Sequence, residues 1–330
     1  MTSSLLPLIA AGAVFLPNPS TGSIQQPPDE PTRPAFYQAD PGPLAVKTIP
    51  NHTLRDQSRA DKEVPIRITY PDAEGPFPLI VFCHGAWGSK DGYQPLIRHW
   101  VGHGYVVIQP THADSIALGN TFRDESVFRF WNDRPRDVKL VFDSLDLLEN
   151  ELPVLKGKID RQRLAVAGHS FGAHTALLVG GARPRLLGRD LRYDDERVQA
   201  VMVLSGPAPN RLLNEQSFAH LKKPTFFMSG SRDIVDVGPK LGSVDDRKKA
   251  YEFAPPGDKI LVWVEGLDHG FGGISGRRLW PPHSDHLSIS RSVTLAFWDA
   301  YLKGNSAARA FLASDDLDSA SSSKVTISRK

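Results

Sequence analysis

The sequence predicts an α/β fold: a mostly parallel, doubly wound sheet flanked by helices. Three observations predict it. Short, continuous apolar runs alternate along the chain with longer stretches of helical periodicity. Those runs lack the apolar–polar alternation of a half-exposed strand, so they read as strands buried on both faces, as in a parallel sheet. One run, Leu164 to Gly168, turns at once into an Ala/Leu-rich helical stretch ending near Leu178. Strands and helices alternating at this length build right-handed βαβ units.

Length and composition bound what such a fold can do. The chain has 330 residues, 40% hydrophobic and 23% charged, which suits one large α/β domain or two modest ones. Lys and Arg number 39 against 37 Asp and Glu, a formal net charge of +2, with no basic run. That balance, without aromatic–basic interleaving, argues against nucleic acid as a partner. The single cysteine, Cys83, excludes an internal disulfide framework and a Cys-based zinc site.

The chain begins with an apolar run from Leu5 to Leu16, too short to span a bilayer as a helix. It resembles a signal-peptide core in length, although Met1–Ser4 carries no basic residue and Pro7 interrupts the run. A Pro-rich stretch to Pro43 follows directly, which favours an exported, tethered protein over a cytoplasmic one. Residues 1–43 are therefore expected to be leader and linker, 44–305 the catalytic-size domain and 306–330 a polar, peripheral tail.

Within the domain, strands are expected at Ala45–Ile49, Val64–Tyr70, Leu79–Cys83 and Tyr105–Gln109, with a helix over Tyr93–His103 between the last two. Thr111 to Trp131 is irregular. Pro135 suits the first turn of a helix whose apolar positions Val138, Val141, Phe142, Leu145 and Leu148 recur at helical spacing. After the Leu164–Leu178 unit come strands at Val198–Leu204, Thr225–Ser229 and Ile260–Val264, then a helix over Leu287–Leu302.

The chemistry centres on Gly168-His169-Ser170-Phe171-Gly172, a G-x-S-x-G sequence between strand and helix. A sharp turn there exposes the serine, and the flanking glycines remove side chains that would collide. A serine hydroxyl becomes nucleophilic only when a histidine, oriented by a buried carboxylate, takes its proton. Candidates follow in the order Ser, Asp, His, each just after a strand: Gly230-Ser231-Arg232-Asp233, and Gly266-Leu267-Asp268-His269-Gly270. Asp236 is an alternative to Asp233. Two backbone donors complete the expected site: the N–H of Phe171 and the N–H of Ala86, in the loop after the Leu79–Cys83 strand. His84 and Gly85 would shape that loop.

Taken together these motifs resemble the α/β-hydrolases of the dienelactone-hydrolase-like group, on the branch with bacterial homologues of platelet-activating-factor acetylhydrolase and chlorophyllase-like esterases. The residues carrying the resemblance are His84-Gly85-Ala86-Trp87-Gly88, Gly104-Tyr105-Val106-Val107, the Gly168–Gly172 motif, Gly230–Asp233, Asp268-His269 and the helix Leu295–Leu302. It spans about Ala45 to Asn305. The resemblance implies the α/β-hydrolase fold, a serine esterase with an acyl-enzyme intermediate and no cofactor, and it matches Asp233 to the family's acid position. Dienelactone hydrolase itself uses a cysteine where this chain has Ser170, which argues against dienelactone as substrate.

Other residues have a bland and a sharp reading. Trp87 adjoins the expected oxyanion loop and is either a substrate wall or a structural aromatic. His169 and His174 are expected to pack rather than act as base. His99 and His103 have ligand-like spacing without a carboxylate as third ligand, and His283, Asp285 and His286 form a similar cluster in a loop; no metal is expected at either. The stretch Gly206 to Pro224 is too short for a lid domain, so the site is expected to be open. Gly272 to Pro282, with Arg277, Arg278 and Trp280, is expected at its border. The expected partner is a small-molecule or polymer-borne ester, without stable membrane insertion. An acyltransferase, a polyester or polysaccharide-ester hydrolase, and a non-catalytic binding protein are the alternatives. The natural ester and the oligomeric state are left open.

Overall fold

A nine-stranded sheet divides the molecule into two apolar layers. This computed structural model describes residues 35–121, 130–235, 243–276 and 280–330. The chain opens with an antiparallel pair, β1 (Val46–Asp56) and β2 (Lys62–Pro71), followed by β3 (Phe77–Cys83), α1 (Gln94–Gly102) and β4 (Val106–Pro110). Next come α2 (Arg134–Asp143), α3 (Leu145–Glu151), β5 (Ile159–His169) and α4 (Phe171–Gly180). A two-residue hairpin, β6 (Arg185–Leu186) with β7 (Arg189–Asp190), stands apart from the main sheet. The chain then adds β8 (Val198–Leu204), β9 (Thr225–Arg232), α5 (Lys249–Phe253), β10 (Lys259–Asp268) and α6 (Ser284–Leu302). It closes with α7 (Ser306–Ala313), α8 (Asp316–Ala320) and β11 (Val325–Arg329).

The strand order is β1-β2-β4-β3-β5-β8-β9-β10-β11, with the six from β4 to β10 parallel. Successive side chains on a strand point to opposite faces. Thus Leu79, Val81 and Cys83 enter one core with α2, α3 and α4, while Ile80 and Phe82 enter the other with α1 and α6. Both faces are covered, which explains the continuous apolar runs. The helix after the G-x-S-x-G turn is buried from Gly172 through Gly180, in keeping with a sequence whose only polar side chains there are His174 and Thr175.

The structure departs from expectation in three places. The stretch from Pro135 to Leu148 is two helices, interrupted at Ser144. Phe36 and Tyr37 pack on the second core, and Tyr37 Oη donates to Asp299 Oδ2 at 2.9 Å, so folded chain precedes Leu44. The tail is also folded rather than peripheral. In α7, Ala308, Phe311 and Leu312 form an i, i+3, i+4 stripe buried beside α6. In β11, Val325 and Ile327 alternate with Thr326 and Ser328 and pair antiparallel with β10. Its apolar positions are few and embedded among Ser and Asp, so composition alone disguises a helix stripe and an edge strand.

Candidate active site

Ser170 sits between β5 and α4 with φ 58° and ψ −120°, a conformation L-residues avoid. Packing enforces it. A Cβ at Gly168 would lie 2.1 Å from the Gly172 carbonyl oxygen, and one at Gly172 would lie 2.0 Å from that of Cys83. Strand, turn and helix therefore approach as closely as backbone allows, and the Ser170 N–H is tied to the Leu204 carbonyl on β8 at 2.9 Å. Such stored strain is characteristic of functional positions.

The sheet brings Asp233 and His269 together from the ends of neighbouring strands β9 and β10. Asp233 is fully buried and its Oδ1 lies 2.6 Å from His269 Nδ1. Burial alone would raise the Asp233 pKa. The facing His269 ring, the Arg247 guanidinium and the Ser229 hydroxyl outweigh it and hold the group below the usual carboxylate range. Asp236, the alternative acid, lies outside the described residues, as do Arg277 and Arg278. Trp280 flanks His269, with ring centroids 5.2 Å apart, in keeping with a place at the border of the site. Among the described residues, nothing is hydrogen-bonded to Ser170 Oγ or to His269 Nε2. The Ser170 neighbourhood nonetheless meets His269 through the preceding residue: the His169 ring lies 4.5 Å from it, and His169 Nε2 is 3.0 Å from the His269 carbonyl.

Several partners were not visible from sequence. Ser205, buried at φ 55° just after β8, donates to Asp233 Oδ1 at 3.0 Å and lies 3.0 Å from His269 Nδ1. Ser229 donates to Asp233 Oδ2 at 2.6 Å. Arg247 reaches the same loops, donating to the Asp233 carbonyl at 3.2 Å and the Gly206 carbonyl at 2.8 Å. Their only sequence signal is a serine near a strand end or an arginine in a polar segment between strands, which nothing distinguishes from a solvated one.

The loop after β3 faces Ser170: a Cβ on Gly85 would lie 3.4 Å from that of Ser170. Gly85 N–H donates to Tyr93 Oη at 3.0 Å and Trp87 N–H to Asp114 Oδ2 at 3.1 Å. Between them, the Ala86 N–H has no acceptor among the described residues. Phe171 is the first residue of α4, where backbone N–H groups point out of the helix. His84 braces the loop, accepting the His112 N–H at 3.0 Å on Nε2 while Nδ1 faces the Gly85 carbonyl at 2.7 Å. Trp87 is only 5% exposed, which leaves little of its indole to meet a ligand. His174 is buried against Trp131, and burial, aided by Arg134, pushes its pKa down to about 4, consistent with packing.

Comparisons with known proteins bear on the fold and on what the chain is similar to. The family model described as Chlorophyllase matches residues 36–183. Platelet-activating factor acetylhydrolase of Canis lupus familiaris is 24% identical over 234 residues, covering 58% of this chain and 47% of that protein. Chlorophyllase-1 of Arabidopsis thaliana is 32% identical over 69 residues, 21% of each chain. The chain thus spans less than half the length of these curated relatives. The solved ferulic acid esterase from Streptomyces cinnamoneus superposes with a TM-score of 0.58 at 18% identity, over 82% of this chain and 94% of that one. No helix among the described residues is long and apolar enough to cross a membrane. The chain has the α/β-hydrolase fold, and the proteins similar to it include an acetylhydrolase, a chlorophyllase and a ferulic acid esterase.

Proposed function

We propose that this protein is a serine esterase that cleaves carboxylic esters through Ser170, His269 and Asp233. The observation that carries the reading is the 2.6 Å contact between buried Asp233 and His269 Nδ1, beside a serine held at φ 58°. With Nδ1 engaged by the carboxylate, Nε2 is the basic nitrogen left for the substrate side. It takes the proton from Ser170 Oγ as that oxygen attacks the ester carbonyl. The oxyanion is received by the N–H groups of Ala86 and Phe171, donors aimed at charge that exists only during reaction. His269 then protonates the leaving alcohol, giving an acyl-enzyme, and activates a water that releases the acid.

The proposed substrate class rests on the segment between β8 and β9, which is described throughout and is too short for a lid domain. The segment between β8 and β9 holds one short 3-10 turn, Glu215–Phe218, which suits an ester carried on a soluble molecule or exposed on a polymer. The similar proteins are named for unlike esters, and their shared element is the carboxylic ester itself.

Steady-state hydrolysis of p-nitrophenyl acetate, butyrate and octanoate tests the reading. The parent is expected to turn over the short esters, and Ser170→Ala or His269→Ala to lose roughly 10⁴–10⁶ in kcat. Parent-level turnover by Ser170→Ala would remove the proposal.

A further inference from the structure

A buried ion pair, Arg134 with Asp114, grips the loop after β3 on both sides of Ala86. Both side chains are completely inaccessible to solvent. The guanidinium is bidentate, with Nε 2.8 Å from Asp114 Oδ1 and Nη2 2.7 Å from Oδ2. Its remaining donors go to the loop. Nη1 donates to the His84 carbonyl at 2.7 Å, and Nη2 reaches toward the Gly85 carbonyl at 3.4 Å. Asp114 closes the grip from the other side, because its Oδ2 also accepts the Trp87 N–H at 3.1 Å.

The two carbonyls before Ala86 and the N–H after it are thus fixed by one charged unit, leaving the Ala86 N–H as the loop's unengaged donor among the described residues. The same guanidinium lies 4.2 Å from the centroid of the Phe171 ring, against the residue that follows the nucleophile. Placed as it is, Arg134 touches Phe171 and the two residues that precede Ala86.

We propose that the Arg134–Asp114 pair is the positioning device of the oxyanion hole, setting the orientation of the Ala86 N–H and its separation from the Phe171 N–H. This rests on the esterase reading and extends it to two residues that do not touch substrate. The planar fork matters here, because a lysine supplies the charge without the two-sided geometry. Burial makes the pair specific as well. Unpairing it leaves a desolvated charge, so the loop is held in one arrangement rather than several. Asp114 reflects this balance: burial would raise its pKa, yet the Arg134 charge and hydrogen bonds keep it well below the ordinary carboxylate value.

The test compares the full-length parent with Arg134→Lys, Arg134→Gln and Asp114→Asn. A fluorophosphonate titrates the active fraction, so that kcat is expressed per reactive site. Hydrolysis of p-nitrophenyl butyrate and inhibition by butylboronic acid, which forms a tetrahedral adduct, are then measured. The expected result for Arg134→Gln is a loss of about 10²-fold in kcat per titrated site, the scale of losing one oxyanion donor. KM should stay within about threefold, with the boronate inhibition constant rising in parallel with the kcat loss. Arg134→Lys keeps a charge opposite Asp114, which preserves the fold if the glutamine variant proves too unstable, and is expected to lose at least about tenfold in kcat. A purely structural role would lower the titrated fraction or the melting temperature while leaving kcat per site and boronate affinity at parent values, and that result overturns the inference. If the parent itself neither labels nor turns over the ester, the esterase reading fails and this inference with it. If the parent is active and only the Arg134 and Asp114 variants match it, the inference alone fails.

Discussion

Tyr93 Oη lies 3.0 Å from His169 Nδ1, and this contact joins the two loops that face the candidate nucleophile. Directions along the chain of bonds are fixed by chemistry. The His269 carbonyl can only accept, so His169 Nε2 carries the proton at that 3.0 Å contact. In the neutral ring Nδ1 then accepts from Tyr93 Oη–H, whose oxygen takes the Gly85 N–H. Burial first, then the nearby His269 and Arg247, drives the His169 pKa well below its usual value and keeps the ring neutral. The histidine beside the serine is a strut between loops rather than a second base.

Tyr93→Phe removes the centre of that chain and deprives a buried N–H and a buried ring nitrogen of their partner. Stability is expected to fall by about 1–3 kcal/mol. Calorimetry should show a lower melting temperature, with kcat reduced and the Ser170 labelling rate reduced alongside it. A variant with unchanged melting and turnover would mean the strut is dispensable.

Asp233→Asn tests the acid and carries a pH signature. Asp233 has a folded-state pKa below its unfolded value, so the folded state binds fewer protons than the unfolded state between those two values. Its contribution to stability is therefore complete above about pH 4, the unfolded carboxylate pKa, and is lost as pH falls toward the lower folded value. Urea melts of the parent between pH 6 and pH 3 should show this loss, with a shallower decline in the asparagine variant. At neutral pH the variant is expected to lose about 10⁴ in kcat if the amide holds His269 in the wrong tautomer. Near-parent turnover would reassign the acid, with Asp236→Asn as the next variant.

Ser205→Ala should have a milder effect. One of two hydroxyls on the Asp233 carboxylate disappears, while Ser229 and His269 remain. A net hydrogen bond is worth about 1 kcal/mol, so kcat is expected to fall by up to roughly tenfold with KM unchanged. Ser205→Ala combined with Asp233→Asn should cost little beyond Asp233→Asn alone, because the serine acts through that carboxylate. Additive losses would show that Ser205 acts independently.

Removing residues 322–330 deletes β11 and strips the antiparallel partner from β10, the strand that leads to His269. An exposed edge beside an apolar strand invites self-association. Size-exclusion chromatography of the truncated chain is expected to show aggregates and reduced yield. A monodisperse, fully active truncation would return the tail to the peripheral role its composition suggested.

The parts of this molecule legible in sequence are those whose physics is local. Uninterrupted runs such as Leu79–Cys83 must be buried on both faces, and Gly168 and Gly172 are dictated by backbone so close that an added Cβ would lie about two ångströms from a carbonyl oxygen. Strand order then places Asp233 and His269 at one rim, and the structure brings the two side chains together. The supporting residues were illegible because their meaning is non-local. Arg134 has no partner legible in sequence until the fold buries it against Asp114, twenty residues earlier in the chain. Ser205 reads as a turn residue until β9 and β10 deliver its two partners. The tail misled because edge strands and short capping helices need few apolar side chains, and Val325, Ile327 and Phe311 are diluted by polar neighbours.

The central claim is that Ser170 is acylated during turnover. Mixing the protein with p-nitrophenyl butyrate, quenching in acid within milliseconds and analysing the digest by mass spectrometry tests it most directly. The account predicts a butyryl adduct confined to the peptide containing Ser170, absent from Ser170→Ala and forming far more slowly in His269→Ala. Ester turnover with no adduct on that peptide, or an adduct placed on another residue, would contradict it.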